Sequence, residues 1–290
     1  MDIQNLNAFL QVSESRSFSG AALQLHITQP AVSKRVAILE QELGSRLFDR
    51  IGRTVSLTEA GRALLPHALA ITRNITVAKQ SVRDLSGEVS GHLRLATSHH
   101  IGLHRMPPVL QHFRSSTPLV KLEIEFMDSE QAYEAIFQGK AELGVVTLAP
   151  EEESNVVAIP VWPDPLDFMT TPGHPLASST TVDLPTLAAY PAVLPGLGTY
   201  TGRIVKQLFE DKNLSLEITM ATNYLETLRM LAAVGLGWTV LPRSMLNPQL
   251  TAISLPSVQI ERTLGYIYHS HHSLSRAVKA FIDSINAVAG

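Results

Sequence analysis

Gln29, Ser33, Lys34 and Arg35 fall on one side of a predicted helix near its N-terminus, where a helix laid against duplex DNA meets base edges and phosphates. The helix is well marked. Thr28 is an N-cap type, Pro30 stands just inside the start where its missing N–H is harmless, and Gly44 follows as a C-terminal stop. Val32, Val36, Leu39 and Leu43, at spacings of 4, 3 and 4, make the opposite apolar stripe. The same pattern also describes a plain amphipathic hairpin with Lys34 and Arg35 merely solvated. A second set lies further on: Thr97, Ser98, His99, His100, Thr147, Thr199, Thr201, Thr222 and Asn223, at predicted strand ends and helix starts. Hydroxyls beside free helix N–H groups suit a carboxylate or another small anion, and His99 or His100 adds charge if protonated. Taken singly, each of these residues is also an ordinary helix cap.

The elements that must position the first set come early. Residues 3–15 predict a helix with Leu6, Phe9, Leu10 and Ser13 on one side. A second helix starts at about Ser19 as N-cap and runs through Ala21, Ala22 and Leu25, its small residues admitting a close neighbour. After the polar helix, Leu47-Phe48-Asp49-Arg50 leads into residues 51–57, two short extended pieces around Gly52. That reads as a β-hairpin wing with Arg53 at its tip, a phosphate or minor-groove contact. Thr58 then opens a long helix with Glu59 in its first turn, which favours the dipole. Leu64, Ala68, Ile71, Ile75, Ala78, Val82 and Leu85 keep gaps of 4, 3, 4, 3, 4 and 3, a heptad repeat that predicts a helix–helix dimer seam. The alternative is a stripe lying on its own domain. Pro66 is expected to bend this helix rather than end it, and Gly87 to close it.

Residues 1 to about 65 resemble the N-terminal winged helix-turn-helix of the LysR-type transcriptional regulators. The matching pieces are Leu6-x2-Phe9, Ser17-Phe18-x2-Ala21-Ala22, Ile27-Thr28-Gln29-Pro30-Ala31-Val32-Ser33, Leu39-Glu40-x2-Leu43-Gly44, Leu47-Phe48-x-Arg50 and Leu57-Thr58-x-Ala60-Gly61. The resemblance implies that Gln29, Pro30, Ser33 and Lys34 contact the major groove and that Arg53 lies on the wing. It also implies that the long helix pairs two chains, that two dimers make a homotetramer, and that RNA polymerase is a partner. Gly20 departs from the family pattern, which has a better helix former there; Gly costs roughly 0.8–1 kcal/mol in a helix.

A chain of 290 residues with 45% hydrophobic and 17% charged residues supports two or three folded domains. It has no cysteine, which removes disulfides, thiol nucleophiles and cysteine metal sites. The start lacks a basic and apolar leader pattern, and the longest apolar run, Met230 to Leu241, is too short to span a bilayer. A cytoplasmic protein without a membrane partner is expected. Residues 1–90 carry ten Lys/Arg against eight acids and the remainder thirteen against eighteen, so a slightly basic head sits on an acidic body.

From His92 the texture alternates. Strands are predicted at 92–97, 120–126 and 142–147, with helices at 103–116, interrupted early by Pro107 and Pro108, and at 129–139. Pro160, Pro163 and Pro165 break the chain and mark a crossover into a second lobe. That lobe has strands near 165–171, 191–194, 215–219 and 237–241 and helices near 199–210 and 223–234. A strand at Gly265–His269 returns to the first lobe, and a helix at 273–288 closes the chain. Alternation predicts a mostly parallel sheet. The order is similar to the two-lobed, periplasmic-binding-protein-like effector domain of LysR-type regulators. The expected plan is therefore an all-α winged helix-turn-helix over 1–57, a linker and dimerisation helix over 58–88, and an α/β effector domain over 89–290. Within the last, lobe I takes about 91–160 and 265–290, and lobe II about 161–264.

Enzyme chemistry finds little footing. Gly196-Leu197-Gly198 lacks the third glycine and the lysine of nucleotide loops, no G-x-S-x-G elbow occurs, and Ser98 beside His99 is not a triad. His100 and His104 stand four apart, but without Cys, Asp or Glu nearby no metal is expected. The expected function is a regulator that reads an interrupted palindromic operator in double-stranded DNA and answers to a small-molecule effector. It needs no other cofactor. The competing reading is a cytoplasmic solute-binding protein or enzyme with an incidental helical extension at its N-terminus.

Overall fold

A computed structural model describes residues 1–51, 54–83 and 88–289. The chain divides into two compact units, one built on Met1–Gly87 and the other on most of Glu88–Gly290. In the first, α1 (Ile3–Ser15), α2 (Phe18–Gln24) and α3 (Gln29–Leu43) precede a hairpin of β1 (Phe48–Ile51) and β2 (Thr54–Leu57), then α4 (Glu59–Arg83). The α1 bounds agree with the sequence pattern, but its buried face is Asn5, Leu6, Ala8, Phe9 and Val12, with Ser13 and Leu10 flanking it.

The N-cap of α2 is Ser17, not Ser19: its hydroxyl accepts from Gly20 N at 3.1 Å. Ser15 packs beside Gly20, its Cβ 3.2 Å from where a side chain would start, which gives the unusual residue a steric reason. α3 begins at Thr28 as expected. It ends at Gly44 with φ of 66°, a left-handed value that releases two N–H groups to the carbonyls of Gln41 and Glu40. Val32, Val36 and Leu39 are fully buried against Phe9 and Ala21, while Leu43 is exposed. Glu40 ties the helix to the wing, its carboxylate accepting from Leu47 N at 2.8 Å.

α4 runs unbroken through Pro66. Its apolar stripe divides in two, which corrects the expectation of one uniform seam. Ala68 is wholly buried in the core of the first unit, and Leu64 and Ile71 pack against that core. Ile75 is half-buried, and Ala78 and Val82 are exposed. Leu85 and the predicted stop at Gly87 lie outside the described residues.

In the second unit β3 (Ser90–Thr97), α5 (His99–His104), α6 (Met106–Ser116), β4 (Leu119–Phe126), α7 (Ser129–Phe137) and β5 (Leu143–Thr147) build lobe I. Two helices stand where one was expected. Helix already forms at His99, and Pro107 and Pro108 fall in the first turn of α6, where no intrahelical N–H bond is lost. β6 (Val156–Thr170) then runs straight through Pro160, Pro163 and Pro165 rather than breaking there. Over these prolines β6 pairs with one neighbour, β11 (Ile260–His269), and a second neighbour joins only from Leu166 onward. An edge tolerates a missing donor.

Lobe II adds α8 (Leu184–Ala188), β7 (Ala192–Leu194), α9 (Tyr200–Glu210), β8 (Ile218–Ala221), α10 (Leu225–Ala233), β9 (Thr239–Pro242) and β10 (Thr251–Ala252). α11 (Arg276–Ala289) closes the chain onto α6, Phe281 meeting Phe113 edge-on at 4.8 Å. The main sheet is mixed, not mostly parallel. Its order is β10-β6-β11-β5-β3-β4, with β9 also on β6. Only the β4–β3 and β3–β5 pairings in it are parallel, because β11 runs against both of its neighbours, β5 and β6. In lobe II Trp238 is wholly buried between Phe168 and Phe209, its indole N–H donating at 3.0 Å to the carbonyls of Leu187 and Tyr190. The β6–β11 ladder shifts register between Leu264 and Gly265, and a Cβ on Gly265 would stand 2.1 Å from Ile159 O. Gly265→Ala should therefore lower unfolding stability by about 3 kcal/mol or more. Gly173→Ala, whose Cβ meets open space, should fall within about 0.5 kcal/mol of the parent in the same urea titration.

Candidate functional site

The first unit presents one polar surface. On α3, Gln29, Pro30 and Lys34 are exposed and Ser33 and Arg35 half-exposed, on the side away from Val32, Val36 and Leu39. Gln29 Nε2 donates to Ser33 Oγ at 2.8 Å, so an amide and a hydroxyl one turn apart already share a hydrogen bond at the surface. Arg35 turns aside: its Nη2 donates to Gln4 Oε1 of α1 at 2.7 Å. Lys34 has no such tether among the described residues. The strands of the wing pair as antiparallel neighbours from Phe48 opposite Leu57 to Ile51 opposite Thr54; Arg53 lies outside the described residues.

The second unit holds a cleft between its lobes, enclosing about 510 Å³ including the part open to solvent, a size suited to a small molecule. Seven of the nine residues selected by strand-end position line it: Ser98, His99, His100, Thr147, Thr199, Thr201 and Asn223. Thr97 and Thr222 do not. Thr97 is buried and its hydroxyl donates to Val145 O at 2.8 Å, joining two strands, while Thr222 Oγ1 accepts from Tyr224 N at 3.4 Å. Thr199 caps α9 by accepting from Gly202 N at 3.0 Å.

Charged residues that sequence reasoning missed also face the cleft: Asp128, Glu130 and Arg262. The strand-end rule, applied to β4, points to the first two. Arg262 lies on β11, whose predicted start fell five residues too late. Its side chain is buried and donates from Nε to Asp164 Oδ2 at 2.7 Å and from Nη1 to Thr201 Oγ1 at 3.0 Å. Asp164 is itself buried, with Arg105 Nη2 at 3.9 Å on its other oxygen. Across the lobes, Asn223 Nδ2 donates to Asp128 Oδ2 at 2.6 Å, Glu130 accepts from Tyr200 N at the start of α9, and His104 meets Glu226 at 2.8 Å. At the start of α9, two of the helix N–H groups expected to be free, those of Tyr200 and Gly202, thus already have partners.

His99 stacks on Phe126 with ring centroids 5.3 Å apart and meets the edge of Tyr224 at 4.7 Å. His100 is buried, and burial first, then the guanidinium of Arg262, lowers its pKa to about 3. It is therefore neutral and supplies no positive charge, contrary to the expectation for a protonated imidazole. Burial, then Tyr133 and nearby carboxylates, pushes the Tyr200 phenol up to about 12. Among the described residues no group of three His, Asp or Glu side chains converges on a metal position, and no helix is long and apolar enough to cross a membrane.

With both surfaces described, likeness to known proteins becomes informative. Residues 3–62 match the bacterial regulatory helix-turn-helix model of the lysR family, and residues 86–290 match the LysR substrate binding domain. The chain belongs to the LysR family of transcriptional regulators. Among its relatives is the uncharacterized HTH-type transcriptional regulator YeiE of Escherichia coli K12, 30% identical over 97% of this chain and 96% of YeiE. A full-length OxyR variant of Pseudomonas aeruginosa shares the fold at TM-score 0.73 and 22% identity, covering 99% of this chain and 98% of OxyR. CbnR, solved in complex with its target DNA, follows at TM-score 0.65 and 20% identity over 99% of this chain and 100% of CbnR. The family assignment makes this chain a DNA-binding regulator and not an enzyme, and its matched head is no incidental extension.

A buried neutral imidazole has a consequence for stability. Unfolded His100 takes up a proton as pH falls through 6.5, whereas the folded group resists until about 3. The unfolded state then binds more protons, so this contribution is complete above 6.5 and lost progressively below it. The melting temperature should fall more steeply between pH 6.5 and about 4.5 in the parent than in His100→Gln; parallel curves would contradict the assignment.

Proposed function

We propose that this LysR-type regulator reads an interrupted palindrome in duplex DNA as a homodimer, and that it assembles further as a homotetramer. The observation that carries the reading is the exposed polar face of α3, with Gln29, Ser33 and Lys34 outward and a complete apolar core behind. Arg35, engaged by Gln4, has the smaller share of that face, and Arg53 supplies the wing contact. Pairing uses the far part of α4, where Ile75, Ala78 and Val82 continue the heptad spacing beyond the residues consumed by the head. A two-fold dimer suits two half-sites.

The cleft takes a small-molecule effector bearing a carboxylate or another small anionic group, for which the buried guanidinium of Arg262 is the fitting partner. An effector that binds one lobe arrangement better shifts the population of arrangements, and with it the bend imposed on DNA. The regulator works in the cytoplasm, where its DNA lies, and RNA polymerase is its partner at the promoter.

Lys34→Ala tests the DNA face. It should weaken binding to operator and non-operator duplex alike, and reduce the slope of log K against log salt by about one. Fluorescence anisotropy across a salt series measures both; unchanged affinity and slope would place the contact on another face.

A further inference from the structure

Two buried groups that border the cleft leave an atom without a partner. Arg262 is 8% exposed and spends Nε and Nη1 on Asp164 and Thr201, but Nη2 meets no acceptor among the described residues. His100 is 7% exposed and its Nδ1 is likewise unmet. Buried donors without partners are rare in native proteins, and an N–H on a guanidinium is costly to leave so. Opposite charge waits on the same cleft. Asp128 commits Oδ2 to Asn223 and Glu130 commits Oε1 to the start of α9, and among the described residues the second oxygen of each takes no hydrogen bond.

These groups restrict the ligand. The lining carries two carboxylates against one guanidinium, so a simple anion meets net repulsion and a simple cation leaves Arg262 unanswered. The start of α9 is no anion receptor either, because Glu130 and Thr199 already take the N–H groups of Tyr200 and Gly202. We propose that the cleft binds a small zwitterion of amino-acid type, its carboxylate on Arg262 Nη2 and its ammonium on the free oxygens of Asp128 and Glu130. Pro195 and Leu225 give the site an apolar wall for the remainder of the molecule. This rests on the cleft being the effector site, and it adds the ammonium that the carboxylate reading leaves out.

The test uses the full-length protein, isothermal titration calorimetry, and the full set of proteinogenic L-amino acids as probes. Each binder is compared with its deamino acid and its α-amide. At least one amino acid should bind with a stoichiometry of one per chain. Its deamino acid and amide should each be weaker by about tenfold or more, since a site that hydrogen-bonds a group rejects analogues lacking it. In Asp128→Asn/Glu130→Gln both side chains keep a carbonyl to accept from Asn223 and Tyr200 N, so the lobe contacts survive. That variant should bind the amino acid no better than the deamino acid while holding the deamino acid as well as the parent does. Deamino acids that bind the parent as tightly as amino acids overturn the zwitterion and leave the carboxylate effector standing. A protein that binds neither amino acids nor deamino acids overturns both.

Discussion

The ion pair between Arg262 and Asp164 is the constraint on which the sensor half of this regulator depends. The two residues stand directly opposite each other on the crossover strands β11 and β6, and both are buried. Taking two charges out of water costs several kcal/mol each, and mutual attraction offsets this only with good geometry and further hydrogen bonds. Here the guanidinium also reaches Thr201 on α9, and the carboxylate also faces Arg105. A single buried pair therefore links both crossovers, reaches a helix of lobe II, and holds a guanidinium beside the cleft. Removing either partner would strand a charge in the interior, which is why the strand ladder and the ligand chemistry cannot vary independently.

The head was largely legible in the sequence, because its signals are local. A cap, an early proline, a 4-3-4 stripe and a terminal glycine fixed α3, whose bounds follow from hydrogen bonds within a few residues. Where tertiary contacts decide, reading failed. Heptad spacing alone does not say what covers a stripe, so Ala68 looked like a seam residue although its own domain buries it completely. Prolines at 160, 163 and 165 looked like breakers because a sequence does not show that the strand bearing them lies at an edge over that stretch.

The cleft was half legible for a related reason. The rule that ligands sit beyond strand ends found Ser98, His99, His100, Thr147, Thr199, Thr201 and Asn223, since it depends only on the order of elements. It located places and not charges. His100 carries no charge because it is buried beside a guanidinium, and Arg262 reaches the cleft from within a strand. Both facts come from packing between residues far apart in the chain.

The contacts that bridge the lobes use the same groups that give the cleft its chemistry. Asp128 with Asn223 and Glu130 with Tyr200 N each join lobe I to lobe II, and His104 with Glu226 adds a third link from the neighbouring helices. A ligand that displaced these carboxylates would exchange one set of hydrogen bonds for another and gain little, because a net contribution of about 1 kcal/mol per bond is lost as each is replaced. A ligand that engages their unused oxygens keeps the existing bonds and adds new ones across the same gap. A ligand of the second kind favours the arrangement in which these contacts are made, and differential affinity is the sole lever a ligand has on a conformational equilibrium. For a zwitterionic effector, selectivity and switching would then share an origin in carboxylates that join the lobes through one oxygen and leave the other for the ligand.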